Sequence, residues 1–517
     1  MRVAVIGGGF GGLALAIRLQ AAGVSVKLFE KRPRLGGRAY QLQEDGYTFD
    51  MGPSLVTAPH ILDSVFRAAG RRLLDEVDLV PLDPYYRVFF HDGSSIDYVG
   101  DPERMKAQMQ AFSSVDAERF DDFMEAIQPI HQSVIEDRLG GRPFDTVGKL
   151  LRFVPRMLRM GAHRTVTRFV ERFFEDPRHR FLYSFHPLFV GGNPFATPAI
   201  YLMIPYLERE GGVWFARGGM YSLVEALERT FLAAGGEIAT GTEVDAIHVE
   251  GGRARGVRVG GVVEPFDAVV SNADVAHTYG HLLRGTKRGR WSDRRLAGLD
   301  YTMSCVVLYL GVRRTYPQLA HHTLILSERY RGLLDDIFRR KVLSGDFSMY
   351  LHVPTRTDLA MAPPECESMY VLIPVPHLGA DVDWRTEGTP FADRVIAFLE
   401  DWGLEGLRDA IEVRRIFTPL DFEQQLNAHL GNAFGLVPRF TQTAWFRPHN
   451  RSEDVAGLYL VGAGTHPGAG VPGVLLSAEA TYEAMRADLQ LPPAWDDREP
   501  GRVALLEDTT EATVAGR

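Results

Sequence analysis

A short apolar strand that runs straight into glycines, at the very start of the chain, constrains the fold more than any other feature. Val3-Ala4-Val5-Ile6 reads as a buried parallel strand, and Gly7-x-Gly9-x-x-Gly12 follows it. Residues 11–22 carry Leu13, Ala16, Ile17 and Leu19 at helical spacing, and Gly23 is a natural stop. Val24 to Phe29 is a second strand, ending in Glu30 with Lys31 beside it. The pattern predicts a Rossmann-like βαβ unit. Gly7 permits the tight turn, Gly9 lets the backbone approach a pyrophosphate, and Gly12 lets helix and strand pack closely. The helix N-terminus supplies amide donors and partial positive charge for phosphates. Glu30 lies 23 residues after Gly7, where a carboxylate accepts a hydrogen bond from a ribose hydroxyl. It would repel a 2′-phosphate, which argues against NADP.

At 517 residues the chain is too long for one ordinary core and implies two domains, interleaved along the sequence. The two cysteines, Cys305 and Cys366, form neither a disulfide framework nor a CxxC pair and fit a reducing, cytoplasmic setting. A net charge of −9 argues against nucleic acid as a partner. No apolar run approaches the roughly 18 residues of a membrane span, and no secretory signal is visible.

The expected fold class is α/β: a Rossmann-like cofactor domain, an interleaved α+β substrate domain and a helical membrane-facing part. The cofactor domain is assigned to 1–75, 213–290 and 420–492. The substrate domain takes 76–212 and 291–419, and 493–517 reads as a disordered polar tail. Strands are expected at Tyr86 to Phe90, Val244 to Val249, Ala254 to Val259, Cys305 to Gly311, Met369 to Val375 and Leu458 to Val461. Helices are expected over Leu223 to Ala234, near 391–402 and from about 473 to 489. Residues 138–180 stand out, with 11 Lys and Arg against 4 Asp and Glu, and with Phe153, Met157, Leu158, Phe169, Phe173 and Phe174 interleaved.

Two further glycine segments extend the nucleotide site. Arg34-Leu35-Gly36-Gly37-Arg38 follows the βαβ unit directly; its glycines permit close backbone approach and Arg38 is a cation near the phosphates. Far away, Gly457 to Gly473 repeats the sequence of strand, glycine loop and helix start. There Gly462, Gly464, Gly470 and Val471 can bring backbone amides to a ribityl chain, a pyrophosphate and a ring. Val244 fits a backbone contact to adenine, and Ser271-Asn272-Ala273-Asp274 ends another strand at a cofactor-facing turn.

The Gly37-Arg38 segment resembles that of FAD-dependent amine oxidases and carotenoid desaturases. Asp50-Met51-Gly52-Pro53 resembles the loop that passes close to the flavin in those families, which implies Gly52 and Pro53 as cofactor-binding residues. The strings Phe185 to Thr197, Gly212 to Gly219, Leu319 to Thr323, Ala444 to Asn450 and Gly462 to Gly473 are similar to bacterial-type phytoene desaturases, and the similarity covers residues 1 to about 488. It implies FAD as the cofactor, phytoene as an apolar polyene substrate, and stepwise desaturation toward lycopene in carotenoid biosynthesis. Oxygen or a quinone would be the electron acceptor. Many flavoproteins carry Gly-Asp where Ala463 stands, so either the backbone supplies the contacts here or the flavin is held more loosely.

A membrane-borne substrate implies peripheral association with the membrane surface. Arg152, Arg156, Arg159, Arg164 and Arg168 could meet anionic headgroups while Phe153, Met157 and Leu158 dip inward. The bland alternative is a solvated basic helix. Candidates for a catalytic acid or base are Arg152 and His466; His466 also fits a structural role in the turn. His321-His322 and the other histidines lack ligand-like spacing and read as surface or packing residues, with no metal site. Alternatives are a desaturase or saturase of a C30 isoprenoid, a hydroxy-carotenoid or retinol. A non-redox prenyl-binding protein of the GDP-dissociation-inhibitor kind is the other competitor, disfavoured by the intact Gly7, Gly9, Gly12, Glu30 and Arg38.

Overall fold

A computed structural model describes residues 1–493. Apart from its first residue, the tail expected at 493–517 lies outside the described residues. Arg2–Ile6 and Ser25–Phe29 pair in parallel, with Phe10–Ala21 as the helix between them. They belong to a five-stranded parallel sheet in the order Leu458–Leu460, Ala268–Ser271, Arg2–Ile6, Ser25–Phe29 and Glu237–Ala239. Val3, Ala4 and Val5 are fully buried, as a strand covered on both faces requires. Phe10–Ala21 packs against Tyr221–Ala233 and against the C-terminal helix Val471–Leu489. Segments far apart in sequence, those following Ile6, Phe29, Ser271 and Leu460, thus converge at the carboxyl ends of the parallel strands.

The long excursions between these strands carry a seven-stranded sheet. Its order is Ile411–Phe417, Ser304–Val312, Glu367–Val375, Met349–His352, His322–Ile325, Tyr86–Phe89 and Ser95–Tyr98. Its pairings are antiparallel except that of His322–Ile325 with Tyr86–Phe89. Every residue of Ser304–Val312 is buried, because both faces of this strand are covered. Side chains alternate across a strand. Val306, Leu308 and Leu310 therefore pack against Phe391, Val395 and Leu399 of the helix Trp384–Trp402. Cys305 and Val307 point the other way, into a cavity. A three-stranded antiparallel meander, Ala246–Glu250, Arg253–Val259 and Val262–Pro265, flanks the parallel sheet.

Two expectations need correction. The helix near 391–402 begins at Trp384, where Asp383 accepts a hydrogen bond from the Arg385 amide (3.1 Å). Pro390 inside that helix hides the first turns from a sequence reading. Val244 is not in a strand; it lies in the connection before Ala246–Glu250. Of the surface and packing readings for His321 and His322, both residues take the packing one: they are buried, His322 in the seven-stranded sheet and His321 just before it.

Candidate active site

One cavity of about 730 Å3 runs from the carboxyl ends of the parallel strands to the seven-stranded sheet. Its first end is made of backbone. Gly7, Gly9, Phe10 and Gly11 line it, facing Gly36, Gly37, Arg38, Gly52 and Pro53. Gly9 caps the helix Phe10–Ala21 without a side-chain acceptor, so no side chain occupies the first-turn amides. Close approach fixes two glycines in particular. A Cβ on Gly12 would fall 2.1 Å from the Gly7 carbonyl oxygen, and one on Gly52 would fall 2.1 Å from the Arg38 oxygen.

The Glu30 carboxylate is buried at this end. Its two oxygens accept hydrogen bonds from the Gly8 and Arg32 amides, each at 2.9 Å. These bonds fix the carboxylate while leaving lone pairs toward the cavity. Lys31 spans the cavity to the Asn427 side chain (2.7 Å) and the Gln424 carbonyl (3.1 Å). Arg38 lines the cavity, and its buried Nε has no partner among the described residues. Burial lowers its pKa. An unpartnered guanidinium beside uncapped helix amides and close-set glycines fits a pyrophosphate.

Loops from both ends of the chain meet here through Asn272. Its Nδ2 donates to the Gly7 carbonyl (3.1 Å), and a Cβ on Gly462 would lie 2.4 Å from its Oδ1. The loop Gly462 to Gly470 is held from behind by Arg447, which is buried. Its guanidinium donates to the carbonyls of Gln442 (3.0 Å), Ala463 (2.9 Å) and Leu436 (2.8 Å), and more distantly to Thr465 (3.4 Å). A buried cation with only carbonyl partners bears on the Ala463 question. The loop is pinned although no aspartate stands at 463.

Beyond the glycines the wall turns apolar: Phe185, Leu188, Phe189, Tyr201, Met303, Leu326, Tyr350 and Phe422 line it. The helix Val147–Arg159 covers part of this end. Leu150, Phe153, Val154 and Met157 face the cavity, while Leu151 and Leu158 are 65% and 51% exposed.

Of the residues singled out from sequence, Gly7, Gly9, Glu30, Lys31, Gly37, Arg38, Gly52, Pro53, Val244, Gly470, Val471 and His466 line this one cavity. Gly12, Gly462 and Gly464 do not; they pack behind it, and a Cβ on Gly464 would meet Val275 at 2.4 Å. Arg152 is exposed on the outer face of its helix, away from the cavity that Phe153 and Val154 line. Lys149 also points away, paired with Asp145 (2.7 Å). Buried His466 donates through Nε2 to the Leu139 carbonyl (3.0 Å) and stacks on Phe144. A carbonyl can only accept, so Nε2 carries the proton. Burial lowers the His466 pKa to about 4, so the ring is neutral near pH 7.

Sequence reasoning missed Asn272 as a linker of the two loops, Arg447 as a brace and Glu208 in the apolar wall. It also missed a third histidine. Cross-strand pairing sets His322 opposite His352, and His321 Nε2 lies 3.1 Å from His352 Nε2. His322 Nδ1 meets the Tyr350 hydroxyl at 2.7 Å. Burial lowers the pKa of all three, that of His321 to about 3.

Residues 10–485 match the family described as flavin containing amine oxidoreductase. A phytoene desaturase (lycopene-forming) of Pseudescherichia vulneris is 47% identical, over 95% of this chain and 100% of that protein. One from Pantoea ananas is 45% identical, over 94% of this chain and 99% of its own length. Among solved structures, an oxidoreductase from Methanosarcina mazei aligns with a TM-score of 0.62 at 19% identity, covering 93% of this chain and 100% of its own. A putrescine oxidase variant reaches 0.63 at 12% identity, covering 95% and 99%. These structural likenesses establish the amine-oxidase-like α/β fold alone. The chain belongs to the flavin containing amine oxidoreductases and, within them, to the bacterial-type phytoene desaturases.

Proposed function

We propose that this chain is an FAD-dependent phytoene desaturase that introduces conjugated double bonds stepwise, toward lycopene. One observation carries the reading: a backbone-walled, cation-bearing nucleotide end opens without interruption into a long apolar end within a single cavity. When bound, FAD supplies the hydride acceptor. Gly7, Gly9, Gly37, Arg38 and the Gly470-Val471 helix start would hold its phosphates, Glu30 its ribose, and Val244 its adenine. Gly52 and Pro53 would border the flavin ring. The apolar wall would hold the polyene against the ring and exclude water, so that charge arising on the chain is stabilised by conjugation rather than quenched. The sequence division into 1–75, 213–290 and 420–492 against 76–212 and 291–419 then separates cofactor from substrate duties.

The helix Val147–Arg159 is the way in from the membrane on this reading. It presents Leu150, Phe153, Val154 and Met157 to the cavity, and Leu151 and Leu158, with Arg152 and Arg159 beside them, to the outside. Among the described residues no helix is long and apolar enough to cross a membrane. Docking would therefore be peripheral, by a few inserted leucines and by arginines on anionic headgroups. Co-expression with a phytoene-producing pathway tests the substrate. Coloured products with new conjugation are expected; unchanged phytoene, together with conversion of a C30 or hydroxylated polyene, would move the assignment to that substrate.

A further inference from the structure

Each desaturation removes a hydride from one carbon and a proton from its neighbour, and the proton needs a destination in an apolar cavity. Most charged groups in the wall crowd the nucleotide end: Glu30, Lys31, Arg32, Arg38, Glu243 and Asp274. Glu208 stands apart from them. It lies on the helix Met203–Gly211, lines the cavity beside Met203, Ile204 and Leu207, and is fully buried. One carboxylate oxygen accepts from the Tyr86 hydroxyl, and the other meets His186 Nε2 at 3.1 Å. His186 is itself fully buried, and its Nδ1 has no partner among the described residues.

A carboxylate stripped of water is costly, and an apolar side chain of similar size would cost less there. Structure alone gives no reason to keep a charge against a hydrocarbon wall. A chain of side-chain contacts links the carboxylate to the loop at Gly52-Pro53. The Tyr86 ring lies 5.8 Å from Phe189, Phe189 lies 6.4 Å from Tyr350, and the Tyr350 hydroxyl is bonded to Ser54, which follows Gly52-Pro53. Burial and then the charge on Glu208 push the Tyr86 hydroxyl well above its ordinary pKa, so it stays a donor.

We infer that Glu208 is the base of the desaturation, accepting the proton from the carbon next to the one that gives up hydride. The C–H bond to that proton breaks, its electron pair becomes the new π bond, and the proton joins a carboxylate oxygen of Glu208. The neighbouring hydride goes to the FAD of the proposed reaction, so the polyene is oxidised by two electrons and the flavin reduced by two. His186 Nε2–H and the Tyr86 hydroxyl orient the carboxylate before the step. The charge also faces the cation that builds up as hydride leaves. The inference rests on the desaturase reading.

The test is anaerobic single-turnover flavin reduction by phytoene in liposomes, using the full chain loaded with FAD. The wild type must bleach; if it does not, the desaturase reading itself has failed. In Glu208→Gln the amide still accepts from Tyr86 but cannot take a proton. Flavin content and the spectral shift on adding phytoene should persist, while reduction slows at least about 100-fold. A second variant covers the case in which Glu208→Gln does not fold. Tyr86→Phe removes one donor to the carboxylate and leaves the ring in place. The titratable and charged groups around Glu208 are Tyr85, Tyr86, Tyr98 and His186, with Arg209 next on the helix and His131 against Tyr206 on the neighbouring helix. Reduction by the wild type should fall on the acid side as the carboxylate is protonated, and Tyr86→Phe should move that limb to higher pH. Wild-type reduction rates in a folded Glu208→Gln, or an unmoved limb in Tyr86→Phe, would overturn the assignment.

Discussion

At the nucleotide end of the cavity the wall is backbone; at the polyene end it is side chain. A Cβ on Gly12 or Gly52 would collide with a neighbouring carbonyl oxygen, and Gly7 and Gly37 hold the left-handed backbone conformation that favours glycine. Phe189, Leu326, Met303 and Phe422 form a wall of interchangeable apolar bulk. Tolerance should differ accordingly. Backbone-limited positions fail abruptly, whereas apolar wall positions repack for a modest cost.

The sharpest break in that comparison is Gly12→Val. Its Cβ would fall 2.1 Å from the Gly7 oxygen, so the strand-to-helix turn cannot form as built. Complete loss of bound flavin is expected in the absorption spectrum of the purified protein. Leu326→Met at the other end should keep full flavin content. A smaller effect is expected from Arg38→Met, which removes the guanidinium proposed to meet a phosphate. Flavin affinity should drop by about tenfold to a hundredfold, from a loss of roughly 1.5–3 kcal/mol, measured by quenching of FAD fluorescence.

Asp50 sharpens the comparison through pH. It precedes the Gly52-Pro53 loop and is buried, and burial raises its pKa to about 7 against the Met220 and Tyr221 amides that lower it. A carboxyl with a raised folded-state pKa leaves stability intact below its unfolded value near 4 and costs stability as pH rises toward and past 7. Asp50→Asn keeps an acceptor for the Met220 amide (2.8 Å) and removes that charge. The variant should match the wild type in melting temperature at pH 4 and exceed it at pH 8. The gain at pH 8 is at most about 4 kcal/mol. Equal melting curves at pH 8 would remove the charge penalty from the account.

The outer helix gives the smallest expected effect on the protein itself and a clear one on location. Leu151→Asp with Leu158→Asp should leave flavin content and melting temperature unchanged, because both side chains are largely exposed. Binding to anionic vesicles should weaken about tenfold to a hundredfold, and added salt should weaken the wild type through its arginines. Unchanged vesicle flotation would move the docking face elsewhere.

The two ends also differed in how far the sequence reveals them. Gly7, Gly9 and Gly12 are legible because the constraint is local: three backbone positions, a strand before and a helix after. Gly462 to Gly470 is legible for the same reason, and the role of Asn272 is not, because it depends on a strand brought in from residue 268. The apolar wall is illegible as a wall. Cys305 and Val307 share a strand with Val306 and Leu308, and only the fold decides which pair faces the cavity and which the helix Trp384–Trp402. Glu208 sits in a Glu-Arg-Glu run that reads as a solvated helix end. Its burial depends on Tyr86 and His186, which come from other elements. His352 joined His321 and His322 for the same non-local reason, through a cross-strand register.

The account stands most directly on whether one cavity holds both flavin and polyene. Anaerobic titration of the FAD-loaded chain with phytoene in liposomes measures this. The flavin absorption should bleach in proportion to added phytoene, and the lipid extract should contain products with lengthened conjugation. A flavin that stays oxidised in the presence of phytoene, in a protein whose FAD is fully bound, would contradict it.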